Sequence, residues 1–135
     1  MNPTLMKATP LRVLVAEAGT AVRDHIVAGL RVFDGITADL AQGPEILDLA
    51  ARKDYDFVVY GIATSDPQEL QLLEQLLAME KGPDLLVVAR DAIAKKLASE
   101  RPSPRIFSTI RRPIEPLQFY RTVSRLRRRL QERRD

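Results

Sequence analysis

The chain has 135 residues, 45% of them hydrophobic and 29% charged, with a formal net charge of +3; that suffices for one domain with a sizeable apolar core. It has no cysteine and a single histidine, His25, so disulfides, thiolate nucleophiles and metal sites built from Cys or several His are excluded. No apolar run approaches the roughly 20 residues that span a bilayer, and the opening MNPTLMKATP lacks the apolar core of a secretory signal; a cytoplasmic location is the expectation.

Residues 1–10 read as a flexible lead, and 11–135 as one domain. Arg12–Ala16 is a compact apolar strand, followed by turn chemistry at Gly19-Thr20, with Thr20 a candidate N-cap. Val22, Ile26 and Leu30 then recur at helical spacing. Asp34-Gly35 marks a turn and Ile36–Leu40 a weak second strand. Pro44 opens the next helix at or near its first turn, with Ile46, Leu47 and Leu49-Ala50 on its apolar face.

Tyr55–Gly61, YDFVVYG, is a short apolar run led by Asp54-Tyr55-Asp56 and stopped by a glycine. Such a run reads as a strand buried on both faces of a parallel sheet. Beyond a loop over Ile62–Asp66, the pair Asp66-Pro67 gives a cap and a first turn. Leu70, Leu73 and Leu77 form one helical stripe, with Leu72 and Leu76 beside it, and Gly82-Pro83 ends the helix. Asp84–Ala89 is a fourth strand, Ala92–Glu100 a short helix and Arg105–Ile110 the last strand. A final helix follows Pro113 and Pro116, with Phe119, Val123, Leu126 and Leu130 on one face.

Five strand–helix units in this length imply a parallel sheet covered on both faces, because parallel strands need crossover connections. The arrangement that suits them is α/β, flavodoxin-like and doubly wound, with strand order 2-1-3-4-5 and five helices.

Four stretches in order, RVLVAEAGTAVR, YDFVVYG, LLVVARDA and IFSTIRRPIEP, resemble motifs of the bacterial response-regulator receiver (CheY-like) family. The resemblance covers roughly Leu11 to Leu130. It implies a phosphoryl-accepting aspartate at the end of the third strand, a divalent cation held by acidic oxygens, a hydroxyl on strand four and a lysine before the proline after strand five. The chemistry needs each of them: Mg²⁺ demands oxygen ligands, and phosphoryl transfer is managed mainly by positioning and charge neutralisation.

At the matching positions this chain departs from that set. Gly61 stands at the phosphoacceptor position and has no side chain on which an acyl phosphate could form. Glu17 remains in the acidic loop, but Ala18 and Gly19 occupy the neighbouring places. Val88 stands for the hydroxyl, Arg112 before Pro113 for the lysine, and Thr109 for the aromatic switch of strand five. The expectation is a degenerate pseudo-receiver: Glu17, Ala18, Gly61, Val88 and Arg112 mark the altered pocket, with no metal, no cofactor and no catalytic residue. Asp56 and Asp66 are candidate substitute acids, set against their roles as a strand-end residue and a helix cap.

Glu17 and Arg112 should meet at the C-terminal edge of the sheet, where this fold places its ligand crevice. They could form a structural ion pair, or Arg112 with Arg111 could bind an anion, since guanidinium suits bidentate phosphate recognition. The resemblance also implies a cis peptide before Pro113. His25 reads as a surface or boundary residue, Tyr60 as core, and Tyr55 and Tyr120 as boundary contacts or stacking platforms.

The C-terminus is a positive pole. Arg121, Arg125 and Arg128 fall on one stripe at i, i+4 and i+7, flanked by Arg127 and Arg129, with Arg133 and Arg134 beyond. The stripe reads as a solvated face, as the start of a helix joining a further domain, or as a binding ridge. Three functions follow from these readings. The first is a phosphorylation-independent, non-enzymatic interaction module of bacterial signalling, which engages a signalling protein or itself through the last two helices and strand five. The second is a cyclic dinucleotide sensor using Arg111, Arg112, Arg121, Arg125 or Arg128, since resemblance to arginine-rich receiver-like proteins implies cyclic di-GMP as a candidate. The third is an atypical phosphoacceptor. DNA binding has no support, because no helix-turn-helix is recognisable.

Overall fold

In the computed structural model, residues 10–52, 54–63, 67–100 and 103–134 are described. Most of the expected lead, Asp66 and Asp135 lie outside them, and of Arg134 only the backbone is described.

Five strands alternate with five helices: β1 (Leu11–Ala16), α1 (Thr20–Arg31), β2 (Ile36–Leu40), α2 (Glu45–Ala51), β3 (Phe57–Ile62), α3 (Pro67–Ala78), β4 (Asp84–Ala89), α4 (Asp91–Glu100), β5 (Ile106–Arg111) and α5 (Pro116–Arg134). All pairings are parallel and the strand order is β2-β1-β3-β4-β5. The expected architecture is therefore the observed one.

Burial explains the sequence patterns. β3 and β4 are buried at every position and read as continuous apolar runs because helices cover both of their faces. The edge strands β2 and β5 are only partly covered. Leu14, Val58, Tyr60, Leu85 and Val87 face the layer that holds Ile46 of α2, Leu73 and Leu76 of α3 and Leu97 of α4. Val13, Val15, Phe57, Val59 and Val88 face the layer of Ile26 and Leu30 from α1 and Phe119, Val123 and Leu126 from α5. Each such aliphatic or aromatic side chain contributes about 1.5–3 kcal/mol relative to exposure. Gly29 sets the spacing of the second layer: a β-carbon there would lie 2.7 Å from the Phe119 ring, so only glycine lets α5 approach α1 this closely.

Several local expectations change. Thr20 is the first residue of α1 and cannot cap it; Gly19 occupies the N-cap and no side chain caps that end. β3 continues through Gly61 to Ile62, because register with β4 holds to the pair Ile62–Ala89. α3 ends at Ala78, and the left-handed residue in the turn beyond it is Lys81, at φ 57°. Gly82 serves a different need. A β-carbon there would sit 2.0 Å from Nη2 of Arg105.

Arg105 carries a structural role with no periodic signal in the sequence. Its guanidinium donates to the carbonyls of Leu76 at 2.8 Å, Leu77 at 3.0 Å and Pro83 at 3.4 Å, and also to that of Met79. It thereby adds donors at the end of α3, where the Leu76 and Met79 carbonyls also accept the Met79 and Gly82 N–H groups at 3.3 and 3.4 Å. Burial holds its pKa below the usual arginine value, partly offset by the nearby Asp84.

Candidate functional site at the C-terminal sheet edge

β1, β3, β4 and β5 deliver their last residues to one edge of the sheet. Glu17 follows β1, Gly61 lies near the end of β3 opposite Val88 of β4, and Arg112 follows β5. The Arg112–Pro113 peptide is cis, as the resemblance implies.

Glu17 is buried, and its side chain has no exposed surface. Its Oε1 pairs with Nη2 of Arg112, whose side chain is 13% exposed, and its Oε2 accepts the Gly19 N–H at 2.7 Å. Arg112 Nη2 also reaches the Val88 carbonyl at 3.5 Å. Both carboxylate oxygens are thus engaged, which a buried charge requires. Of the two readings open for Arg112, the ion pair is the one formed.

The pair occupies the space beside Gly61. A β-carbon built on Gly61 would lie 1.8 Å from Oε1 and 2.7 Å from Cδ of Glu17, and 3.0 Å from Nη2 of Arg112. An aspartate at this position would need the ion pair to move, and it would add a second carboxylate against the first.

Val88 is buried in the layer facing α1 and α5 and offers this edge only its carbonyl. Ala18 is exposed and Thr109 half-buried. Arg111 does not join Arg112: it pairs with Asp91 of α4, which also holds Lys95 at 3.0 Å. Arg111 and Arg112 thus turn to different carboxylates, Asp91 and Glu17. Each guanidinium already faces a carboxylate.

Beside Gly61 a cleft of about 170 Å³ is lined by Glu17, Gln42, Tyr60, Gln68, Glu69 and neighbours. Tyr60 is buried and its hydroxyl donates to the Glu69 carbonyl at 2.7 Å; burial, reinforced by the Glu69 charge, pushes its pKa well up. Glu69 Oε2 accepts the Ala63 N–H at 2.9 Å. Sequence reasoning passed over Glu69, although its place in the first turn of α3 put it at this edge. Among the described residues no group of three or more His, Cys, Asp or Glu is placed to hold a metal ion.

Asp56 lies at the opposite end of β3, where its Oδ2 accepts the Arg12 N–H at 2.7 Å. Near it Asp39 accepts from Tyr55 Oη at 2.7 Å and Arg12 Nη2 at 3.1 Å. Those two bonds, Tyr55 first, hold the Asp39 carboxyl below its ordinary value.

The arginines of α5 divide into two sets. Arg127 reaches the Asp34 carbonyl, Arg129 lies 5.5 Å from the Phe107 ring centroid, and Arg133 pairs with buried Asp84 at 3.0 Å. Arg121, Arg125 and Arg128 are exposed, and no acid among the described residues pairs with them. They share a shallow concavity of about 590 Å³ with Ser108, Gln118 and Ser124. Glu115, at its rim, is turned into the N-terminus of α5, accepting from Leu117 N at 3.2 Å and Gln118 N at 2.6 Å. Tyr120 stacks on Phe33, with ring centroids 4.8 Å apart, and His25 is exposed on α1.

Sheet order and layering make this a flavodoxin-like doubly wound fold, with Glu17, Gly61 and Arg112 gathered at its C-terminal edge. No protein-family model matches the sequence. Over 91 residues, 66% of this chain, it is 34% identical to response regulator MprA of Mycobacterium sp. (strain KMS), and equally so to MprA of Mycolicibacterium vanbaalenii. The chain spans 39% of the length of these curated relatives.

Among solved structures it resembles the signal receiver domain of an HD domain-containing protein from Pseudomonas fluorescens, with TM-score 0.75 and 14% identity over 95% of this chain and 93% of that one. The REC domain of AraT, a response regulator from Geobacillus stearothermophilus, gives 0.70 and 17% over 93% and 98%. Identities this low speak for the fold. With the relatives' names, they support a response-regulator receiver (CheY-like) domain. Among the described residues no helix is long and apolar enough to cross a membrane.

Proposed function

We propose that this domain is a pseudo-receiver of two-component signalling that acts without being phosphorylated, as a non-enzymatic, cytoplasmic protein-interaction module. One observation carries the reading: the space a phosphoacceptor side chain would need at Gly61 is filled by the Glu17 carboxylate, itself held by Arg112 and the Gly19 N–H. Glycine offers no oxygen nucleophile, and Glu17 has both oxygens committed. The partner is a signalling protein, a kinase, regulator or effector, engaged through a surface that includes α5.

Incubation with acetyl phosphate and Mg²⁺ followed by intact-mass measurement tests the reading. No phosphoryl adduct is the expected result; a stable adduct mapped to Glu17, Asp56 or Asp66 would revive the atypical phosphoacceptor. Asp56 gains no support from its place, since it lies at the far end of β3 against the Arg12 amide.

A second reading, a cyclic dinucleotide sensor, is favoured by Arg121, Arg125 and Arg128 sharing one concavity with Ser108 and Ser124. Guanidinium groups and hydroxyls suit phosphate, and arginine also stacks on bases. Calorimetry with cyclic di-GMP tests it, with micromolar binding lost in the triple Arg→Ala variant as the supporting outcome.

A further inference from the structure

Among the described residues four large hydrophobic side chains stand exposed: Val32, Leu40, Leu117 and Tyr120. Three of these four, Val32 at 68%, Leu117 at 51% and Tyr120 at 45%, belong to the end of α1 and the start of α5. Between these two helices runs a groove of about 330 Å³ walled by His25, Val32, Ile114, Phe119 and Tyr120. Tyr120 also lines the concavity that holds Arg121, Arg125 and Arg128. An apolar groove and a basic crest that no acid among the described residues pairs with therefore meet along one side of α5.

We infer that the α1/α5 groove is a docking site for an acidic amphipathic helix, whose apolar face seats on Val32, Ile114 and Tyr120 of the groove and on exposed Leu117 beside it, while its carboxylates meet Arg121, Arg125 and Arg128. This rests on the reading that the domain signals by contact, and it names the face and the partner's chemistry. Burying the groove needs apolar side chains, which a phosphate ligand lacks. The three arginines span about 10 Å of helix axis, so carboxylates at i, i+4 and i+7 of a partner helix match them. Charge complementarity of this kind sets partner choice and encounter rate. A second copy of this chain fits poorly, because a two-fold contact across α5 would bring arginine crest towards arginine crest. The α4 side of the molecule is a weaker candidate. Its Asp91 is already shared by Lys95 and Arg111, and among the described residues of α4 no large apolar side chain is exposed.

The probe is a synthetic helical peptide with leucines on one face and glutamates at i, i+4 and i+7 beside them, titrated into the ¹⁵N-labelled protein. Saturable amide shifts centred on Val32, Leu117, Tyr120 and Arg121 are expected. Affinity should fall at least about tenfold, near 1.4 kcal/mol, in Leu117→Asp, in Arg121→Glu/Arg128→Glu, and for a peptide with lysine in place of glutamate. All the substituted side chains are exposed, and the peptide variants leave the protein untouched, so a folding defect cannot imitate the result. Equal binding of the lysine peptide, shifts confined to α4 and β5, or no saturation would overturn the assignment. So would concentration-dependent dimerisation through this groove without peptide binding, or cyclic di-GMP binding that excludes the peptide. Phosphoryl labelling of the domain would sink the phosphorylation-independent reading while leaving the peptide result intact, so the two failures are distinguishable.

Discussion

The C-terminal edge of the sheet and the outer side of α1 and α5 handle charge in opposite ways. At the edge, Glu17 and Arg112 meet in a space with almost no exposed surface, and every carboxylate oxygen is engaged. On the α5 crest three guanidinium groups stand in solvent, none paired with an acid among the described residues, and Glu115 of the same concavity is engaged at the N-terminus of α5. Buried charge is tolerated only when paired, whereas exposed charge needs no partner and is worth little to stability. The edge therefore reads as structure and the crest as surface available to another molecule.

The largest effect is expected at the ion pair. Glu17→Ala strands the Arg112 guanidinium in a mostly buried site and should cost about 3–5 kcal/mol in urea unfolding. Glu17→Leu combined with Arg112→Met should recover much of that loss, because a matched apolar pair leaves no orphaned charge. If Glu17→Ala proves as stable as the wild type, the edge is not the structural region described here.

Arg105→Ala comes next. It removes donors to four carbonyls around the end of α3 and should cost about 2–3 kcal/mol, with faster amide exchange at residues 76–79 as the local signature. Gly61→Ala should cost about 1–3 kcal/mol, since its β-carbon must displace the Glu17 carboxylate. Gly61→Asp should cost more than Gly61→Ala and still fail to accept phosphate from acetyl phosphate.

A smaller step is expected from Asp39. Its folded-state pKa is depressed by Tyr55 and Arg12, so its contribution is present above the unfolded carboxylate pKa of about 4 and is lost as pH falls through the lower folded value. Asp39→Asn should flatten that part of the acid stability profile. Exposure of the pair keeps the step small. The smallest effect belongs to the crest: Arg121→Glu, Arg125→Glu and Arg128→Glu together should change stability by no more than about 0.5 kcal/mol. A markedly larger loss would mean that these arginines hold the fold and are not free for a partner.

Much of the fold was legible in the sequence, because period and run length are local properties. FVVY reads as a strand covered on both faces, VLVA and LLVVA as apolar strands, and the length and lack of β-branching of the leucine stripe favour a helix. Where the reading failed, the deciding contact was distant. Thr20 looks like a cap in its own neighbourhood, yet α1 starts one residue too early for it. Gly82 looks like a helix terminator, but Arg105, 23 positions along, is what requires glycine there. The apolar groove of Val32 and Tyr120 left no trace in the pattern because its walls come from α1, α5 and the segment before α5.

From the chain of letters alone came five alternating units, and hence a parallel doubly wound sheet, together with a glycine on which no acyl phosphate can form. Only the tertiary structure decided what fills the space beside that glycine. Glu17 and Arg112 lie 95 residues apart, and no periodicity relates them. Which arginines are consumed by the fold and which stay free was settled in the same way, by where carbonyls and carboxylates from other elements came to rest. Local pattern governs the elements; desolvation and pairing across the folded surface govern which charges remain for a partner to meet.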